Sequence, residues 1–265
     1  MDVILTETAD GVETLTLNRP AALNALNDRL IGALLAYFEG LNQRPEIRVV
    51  RLKGAGDGFC AGLDLKDPAV AGLRGQGVGA LYDFQRRLHR LILAMRQCPQ
   101  PIIAQGHGAA AGGGLALLMA SDIRVVQANA RLSAAFIKLG LSGCDVGLSY
   151  LLPRLVGGAV AAELLLTGKT MNGARAHQLG LASALAEDAA ALDALAADYA
   201  AAMLATTPMG LRLTKEGLNA NLDAASLDAA MALEDRNQVL CAGSRDFAEA
   251  LAAFTEKRPP RFEGR

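Results

Sequence analysis

The sequence predicts an α/β fold, on two observations. Through residue 207, short aliphatic runs repeatedly end in glycine-rich turns and lead into segments with apolar residues at helical spacing. From Pro208 onward only helical spacing remains, which divides the chain into a core over 1–207 and a helical segment over 208–265. A length of 265 residues suits one large domain or a core with an appendage, and 52% hydrophobic residues permit a sizeable interior. The net charge of −1 gives no reason to expect nucleic acid or an anionic membrane as partner.

In chain order, Val3–Thr6 and Val12–Leu17 read as two strands joined by Asp10-Gly11, a hairpin signal. Asn18-Arg19-Pro20 closes the second. A helix is predicted from Asn27, with Leu30, Ile31, Leu34, Leu35 and Phe38 on one side, followed by a strand over Arg48–Leu52. Pro68–Gly79 reads as a mobile loop, either a substrate contact or plain surface. Leu81–Cys98 is predicted helical, with Leu88, Leu91, Ile92 and Met95 inward; Arg86, Arg87 and Arg90 form either a solvated face or a phosphate contact. Asp122–Val126 makes a further strand. The last predicted helices are Met209–Asn219, Ser226–Cys241 and Arg245–Lys257. In the second of them Leu227 and Met231 share one side, and Leu233 and Leu240 another, which asks for neighbours on two sides.

The centre of the chain is Pro101–Ser121: an apolar strand, three alanines, three glycines, then Leu115, Leu117, Leu118 and Met119. Each glycine inside a helix costs about 1 kcal/mol relative to alanine, so Gly112, Gly113 and Gly114 belong where strand becomes helix. Such a turn leaves N–H groups unpaired at the positive end of a helix dipole, suited to a negative oxygen. A dinucleotide fingerprint fits poorly, because Gly106-His-Gly108-Ala-Ala-Ala111 falls one position short. A phosphate loop lacks the Lys-Ser/Thr pair. An oxyanion hole requires a second donor, and Val49–Gly54 leading through Gly56-Asp-Gly58 to Phe59–Leu65 predicts a second strand, turn and helix. Each turn alone is also an ordinary turn.

Phe59-Cys-Ala-Gly-Leu-Asp64 with Gly108-Ala-Ala-Ala-Gly-Gly-Gly114 resembles the crotonase (enoyl-CoA hydratase/isomerase) superfamily. So do Leu17-Asn-Arg-Pro20 with Leu23-Asn-Ala-Leu26, the stretch Met171–Ala182, and Phe254–Phe262, in the family's order. The resemblance implies a spiral of β-β-α turns with a C-terminal helical oligomerisation segment, forming homotrimers or dimers of trimers. It implies an acyl-CoA thioester as substrate, with coenzyme A as part of it and no further cofactor.

By motif position, the resemblance makes the backbone N–H groups of Leu63 and Gly113 the oxyanion donors. It places Lys66, Phe254 and Lys257 at CoA, Lys257 reaching a neighbouring subunit; each lysine also suits plain solvation. A typical hydratase has glutamates where this chain has Ala116 and Phe136, which instead line the acyl pocket. Neither can transfer a proton, so hydration by the usual pair is not expected. Asp145, in Leu141-Ser-Gly-Cys-Asp-Val-Gly147, resembles the aspartate of dienoyl-CoA isomerases, in a loop one residue longer than the common spacing. It is the candidate acid/base; its alternative is a cap on the following helix. Ser142, Cys144 and Tyr150 are weaker candidates, and His107 reads as a satisfied core histidine.

The expected function is acyl-CoA chemistry of hydratase/isomerase type. The alternatives are a non-catalytic acyl-CoA binder and a thioester hydrolase or decarboxylase. Cys60, Cys98, Cys144 and Cys241 form no C-x-x-C pair, and His89, His107 and His177 complete no metal pattern. Reduced thiols, no metal, no secretory signal and a cytoplasmic location are expected, with no bilayer span in the glycine-broken run from Ala109.

Overall fold

A computed structural model describes residues 2–264. The chain opens with β1 (Ile4–Ala9) and β2 (Val12–Leu17), an antiparallel hairpin turning at Asp10-Gly11, where both residues have positive φ. Helix α1 (Asp28–Gly40) follows, with the Asn27 side chain accepting from Leu30 N at 2.9 Å. Its buried face is Leu30, Ile31, Leu34, Leu35 and Phe38, as the spacing predicts. Strand β3 (Val49–Gly54) pairs parallel with β2.

Two expectations need correction in the next stretch. The turn after β3 does not open a helix at Leu63, because Leu26 pairs with that segment as a short parallel bridge. The stretch from Pro68 is not a plain loop: α2 (Pro68–Gly72), capped by Asp67, continues into a 3₁₀ turn over Leu73–Gln76. Helix α3 (Val78–Gln97) then starts three residues before its predicted beginning.

Two β-β-α turns follow. In the first, β4 (Ile102–Gly106) joins the main sheet, β5 (Ala109–Ala111) leaves it, and α4 (Gly113–Ala120) returns. In the second, β6 (Ile123–Gln127) and β7 (Arg131–Ser133) lead through a 3₁₀ turn (Ala135–Leu139) to α5 (Leu148–Thr167), broken at Gly157 with φ 79°. The chain continues with β8 (Met171–Asn172), α6 (Gly173–Gln178), β9 (Ala184–Ala186) and α7 (Ala189–Leu204). The main sheet runs β1-β2-β3-β4-β6-β9, parallel after the opening hairpin, and β5-β7-β8 form a small second sheet. Both faces of the main sheet are covered, which explains the continuous apolar strands. Helix α7 packs Leu192, Ala196 and Ala200 over Val49, Ile103 and Val125, while the larger core lies on the opposite face.

Three helices end the chain: α8 (Pro208–Asn221), α9 (Leu227–Ala242) and α10 (Arg245–Glu256). Helix α8 is anchored by Lys215, buried to 5% exposure. Its ammonium meets Asp122 at 2.9 Å and donates to Gln100 O at 2.8 Å and Met95 O at 3.1 Å. The apolar side chains of α9 stay largely on the surface: Leu227 is 76% exposed, and Met231 and Leu240 about half.

Candidate active site

The glycine-rich turn and the segment after β3 meet as the motif spacing requires. Asn24, fully buried and left-handed at φ 56°, donates to Ala55 O at 2.9 Å and Gly58 O at 2.7 Å. Its own oxygen accepts from Arg19 N at 2.8 Å, so one side chain pins the end of β3 to the opening motif. Residues 59–60 then run beside β5, with Phe59 N to His107 O at 2.9 Å, Cys60 N to Ala109 O at 2.9 Å and Ala111 N to Cys60 O at 3.0 Å. On the other side, Leu26 N donates to Gly62 O at 2.7 Å and Asp64 N donates to Leu26 O at 2.9 Å. A parallel bridge that uses Gly62 O and Asp64 N leaves the N–H of Leu63 pointing away from Leu26.

Gly113 opens α4, where the first N–H groups have no intrahelical acceptor. Among the described residues, neither Leu63 N nor Gly113 N donates to a protein acceptor. The two turns are close: a β-carbon on Gly62 would lie 3.6 Å from Gly113 N. Glycine permits this approach. A β-carbon on Gly114 would collide with the Cys60 carbonyl, 2.8 Å from its carbon, and Gly62 adopts φ 94°.

Asp64, next to Leu63, is clamped by Arg19 at 2.8 Å, and its other oxygen accepts from Lys66 N at 3.1 Å. The Arg19 guanidinium, foremost, holds the Asp64 carboxyl below the usual range. Arg19 also donates to Ala25 O, so the clamp spans both motifs. The Cys60 thiol beneath the turn is fully buried, which pushes its pKa up to about 12 and leaves it protonated at neutral pH.

Ala116 is fully buried in α4, and Phe136 is 8% exposed with its ring against Gly112, 3.3 Å from where a β-carbon would stand. Both positions are apolar. The next carboxylate after Phe136 along the chain is Asp145. It does not cap α5: the residue at that cap is Gly147, with no side-chain bond, and the Asp145 contribution is its main-chain oxygen, accepting from Leu148 N at 2.9 Å. The capping alternative therefore fails. Instead Oδ1 of Asp145 accepts from Val146 N at 2.8 Å and from Gln85 Nε2 of α3. Among the described residues nothing donates to Oδ2. Val146 has φ 41°, a left-handed conformation that a β-branched residue rarely adopts, and Gly147 follows at 85°. Strain of this kind persists only where surroundings hold it and gathers at functional sites.

Asp145 lines a groove of about 1630 Å³ with Tyr82, Gln85, His89, Tyr150 and Lys215. Leu63, Gly113 and Phe136 lie outside that lining; Phe136, whose ring rests against Gly112, stands nine positions before Asp145 along the chain. Of the CoA candidates, Lys66 is exposed two residues beyond Asp64. Phe254 is 85% exposed and Lys257 ends α10 at φ 54°; no described contact joins either to the donor turns. Ser142 supports the loop by accepting from Cys144 N at 3.0 Å, and the Tyr150 hydroxyl is bonded to Asp223. His107 is half-buried and not in the core as expected; Nε2 lies 3.0 Å from Gly56 O and Nδ1 3.4 Å from Gln105 O, and a neutral ring donates to only one of these carbonyls. Arg87 and Arg90 pair with Asp28 and Glu39 of α1. Among the described residues no group of three or more His, Cys, Asp or Glu side chains could hold a metal.

The residues that sequence reasoning passed over are Asn24, Arg19 and Gln85. The first two stand inside quoted motifs, but a sequence does not show that their side chains reach across 34 and 45 positions.

The sequence model of the enoyl-CoA hydratase/isomerase family matches residues 7–265. A protein described as a probable enoyl-CoA hydratase of Mycobacterium leprae is 42% identical over 262 residues, covering 97% of this chain and 88% of that one. The 1,2-epoxyphenylacetyl-CoA isomerase of Escherichia coli is 36% identical, with all of both chains covered. The solved enoyl-CoA hydratase of Bacillus anthracis superposes with a TM-score of 0.92 at 30% identity, covering 99% of this chain and all of that one. The fold, the paired turns and these similarities agree: the chain belongs to the enoyl-CoA hydratase/isomerase (crotonase) superfamily and is an enzyme of hydratase/isomerase type acting on acyl-CoA thioesters.

Proposed function

We propose that the chain is an acyl-CoA isomerase that moves a proton along a thioester enolate, with Asp145 as its single acid/base. The observation that carries this reading is the Asp145 carboxylate, held on one oxygen and open on the other, in a chain whose two hydratase positions are Ala116 and Phe136. Hydration asks for one group to activate water and another to protonate the α-carbon. A proton shift asks for less. One carboxylate takes a proton from carbon, the charge spreads over the conjugated enolate, and the same carboxylic acid returns the proton to another carbon. The thioester oxygen would sit between Leu63 N and Gly113 N, which have no other acceptor among the described residues; removing one such donor typically costs about 100- to 1000-fold in rate. Leu63, Ala116 and Phe136 would shape the pocket, with the acyl group extending past Phe136 to Asp145. The full-length similarity to an acyl-CoA isomerase fits this choice.

The same reading has Lys66 at the CoA moiety of its own site and Phe254 and Lys257 at a neighbour's, in a homotrimer or dimer of trimers within the cytoplasm. The segment over 208–265 would build that assembly. Its exposed apolar set, Leu218, Leu227, Val239 and Phe254 each above 65% exposed, supports it.

The test is turnover of 2-enoyl-, 3-enoyl- and dienoyl-CoA esters, followed through the absorbance of the conjugated thioester, with Asp145→Asn alongside and binding measured by calorimetry. Isomerisation lost in the variant with binding kept is the expected result. Isomerisation that survives removes Asp145 from the mechanism. Tight binding with no turnover by the natural chain would make it a binder.

A further inference from the structure

We infer that Gln85 is a positioning residue for Asp145, selecting which carboxylate oxygen handles the proton; the inference rests on the isomerase reading above. A carboxylate only accepts hydrogen bonds, so the contact fixes the Gln85 amide with Nε2 toward Asp145 and Oε1 away from it. Oδ1 then carries two donors, Gln85 Nε2 and Val146 N at 2.8 Å, while Oδ2 has none among the described residues. The arrangement is asymmetric by construction. The proton taken from carbon goes to Oδ2, the oxygen with free lone pairs, and Oδ2 is the atom that must return it.

The two donors come from different places. Val146 N belongs to the strained turn itself and is kept by every substitution except proline, whereas Gln85 reaches in from α3 across 60 positions. With Val146 N alone, the carboxyl group is free to turn about its Cβ–Cγ bond and present either oxygen. Gln85 lies on the exposed side of α3, between the buried Phe84 and Leu88, and its side chain makes no other described hydrogen bond. Its amide therefore contributes little to holding the helix in place. Water competes for such an exposed contact, and an acyl group lying in the groove would exclude that water and strengthen the bond.

The experiment compares Gln85→Leu, Gln85→Lys and Asp145→Asn with the natural chain, using a 3-enoyl-CoA ester and recording kcat, KM and the melting temperature. Gln85→Leu should lower kcat about tenfold, a fraction of what a positioned acid/base contributes, with KM within about twofold and melting unchanged. Gln85→Lys, which restores an N–H donor of similar reach, should recover most of kcat. The inference is overturned if Gln85→Leu keeps its kcat, if KM rises in place of a fall in kcat, or if Leu and Lys are equally impaired. A fully active Asp145→Asn, or a natural chain that turns over no ester, overturns the isomerase reading and this inference together. An inactive Asp145→Asn beside an unaffected Gln85→Leu removes Gln85 alone.

Discussion

Replacing Gly114 by alanine isolates the contact that brings the two donor turns together. The glycine has no left-handed backbone to lose, so the effect is steric. The new methyl group would stand 2.8 Å from the Cys60 carbonyl carbon and 2.9 Å from its β-carbon, with the carbonyl oxygen closer still, where ordinary contacts begin at 3.4 Å. Residues 59–63 would have to withdraw by more than half an ångström. That movement stretches the Ala111 N to Cys60 O bond, now 3.0 Å, and carries Leu63 away from Gly113. Overpacking costs about 1–3 kcal/mol and a broken buried hydrogen bond about the same, roughly 2–6 kcal/mol together. For a chain of this size that is a melting temperature lower by roughly 5–20 °C. Displacing a reactive geometry by such an amount costs about 100-fold in turnover. Gly113→Ala is the internal control. Its methyl group meets only the tip of Leu26, 2.8 Å away, which can rotate aside, and the N–H is retained. Calorimetric melting and turnover of both variants decide the matter. A Gly114→Ala variant that melts and turns over like Gly113→Ala would refute the argument that this approach sets the donor geometry.

Two further outcomes follow from ion pairs described above. Asp64→Asn should destabilise the chain by about 1.5–3 kcal/mol at neutral pH, the range for a hydrogen bond to a charged group. Because the folded Asp64 carboxyl lies below its unfolded value of about 3.9, its contribution is complete above that pH and is lost as pH falls through the folded value. Urea midpoints of the two proteins should therefore converge in acid; a constant gap from neutral pH down to strong acid would rule this linkage out. Lys215→Met removes the buried cation that anchors α8 and should cost about 3 kcal/mol, near the low end for such pairs, since Asp122 keeps Arg96 at 3.6 Å and Ile102 N at 2.8 Å. Limited proteolysis should then cut ahead of α8; an unchanged cleavage rate and urea midpoint would contradict the anchoring role.

Much of this fold was legible because local signals and tertiary needs coincide. Asp10-Gly11 supplies the positive φ of its hairpin, and the α1 stripe at helical spacing is the stripe that is buried. The run of three glycines marked the strand-to-helix turn because glycine at position 114 avoids a main-chain collision. Reading failed where a distant partner overrode the local pattern. The segment at Leu63 has helix-compatible residues, but Leu26 captures it as a bridge. The glycines and alanines after Pro68 suggested a loop, yet Asp67 caps a short helix by accepting from Ala69 N and Val70 N. The Asp145 candidate was visible in the motif, but its orientation depends on Gln85 and on the left-handed Val146, and neither has a sequence signal.

The proposed donor pair is made of peptide groups, and this has an evolutionary consequence. A single substitution can delete Asp145 or place a glutamate at position 116 or 136, but no substitution except proline deletes the N–H of Leu63 or Gly113. On the proposed reading, affinity for the thioester oxygen is thus inherited more faithfully than the reaction performed on it. Descendants of such a chain can drift between isomerase, hydratase and silent binder while retaining one ligand. An inhibitor that mimics only the enolate would hit them all, and selectivity among them has to be sought at Leu63, Phe136 and Asp145.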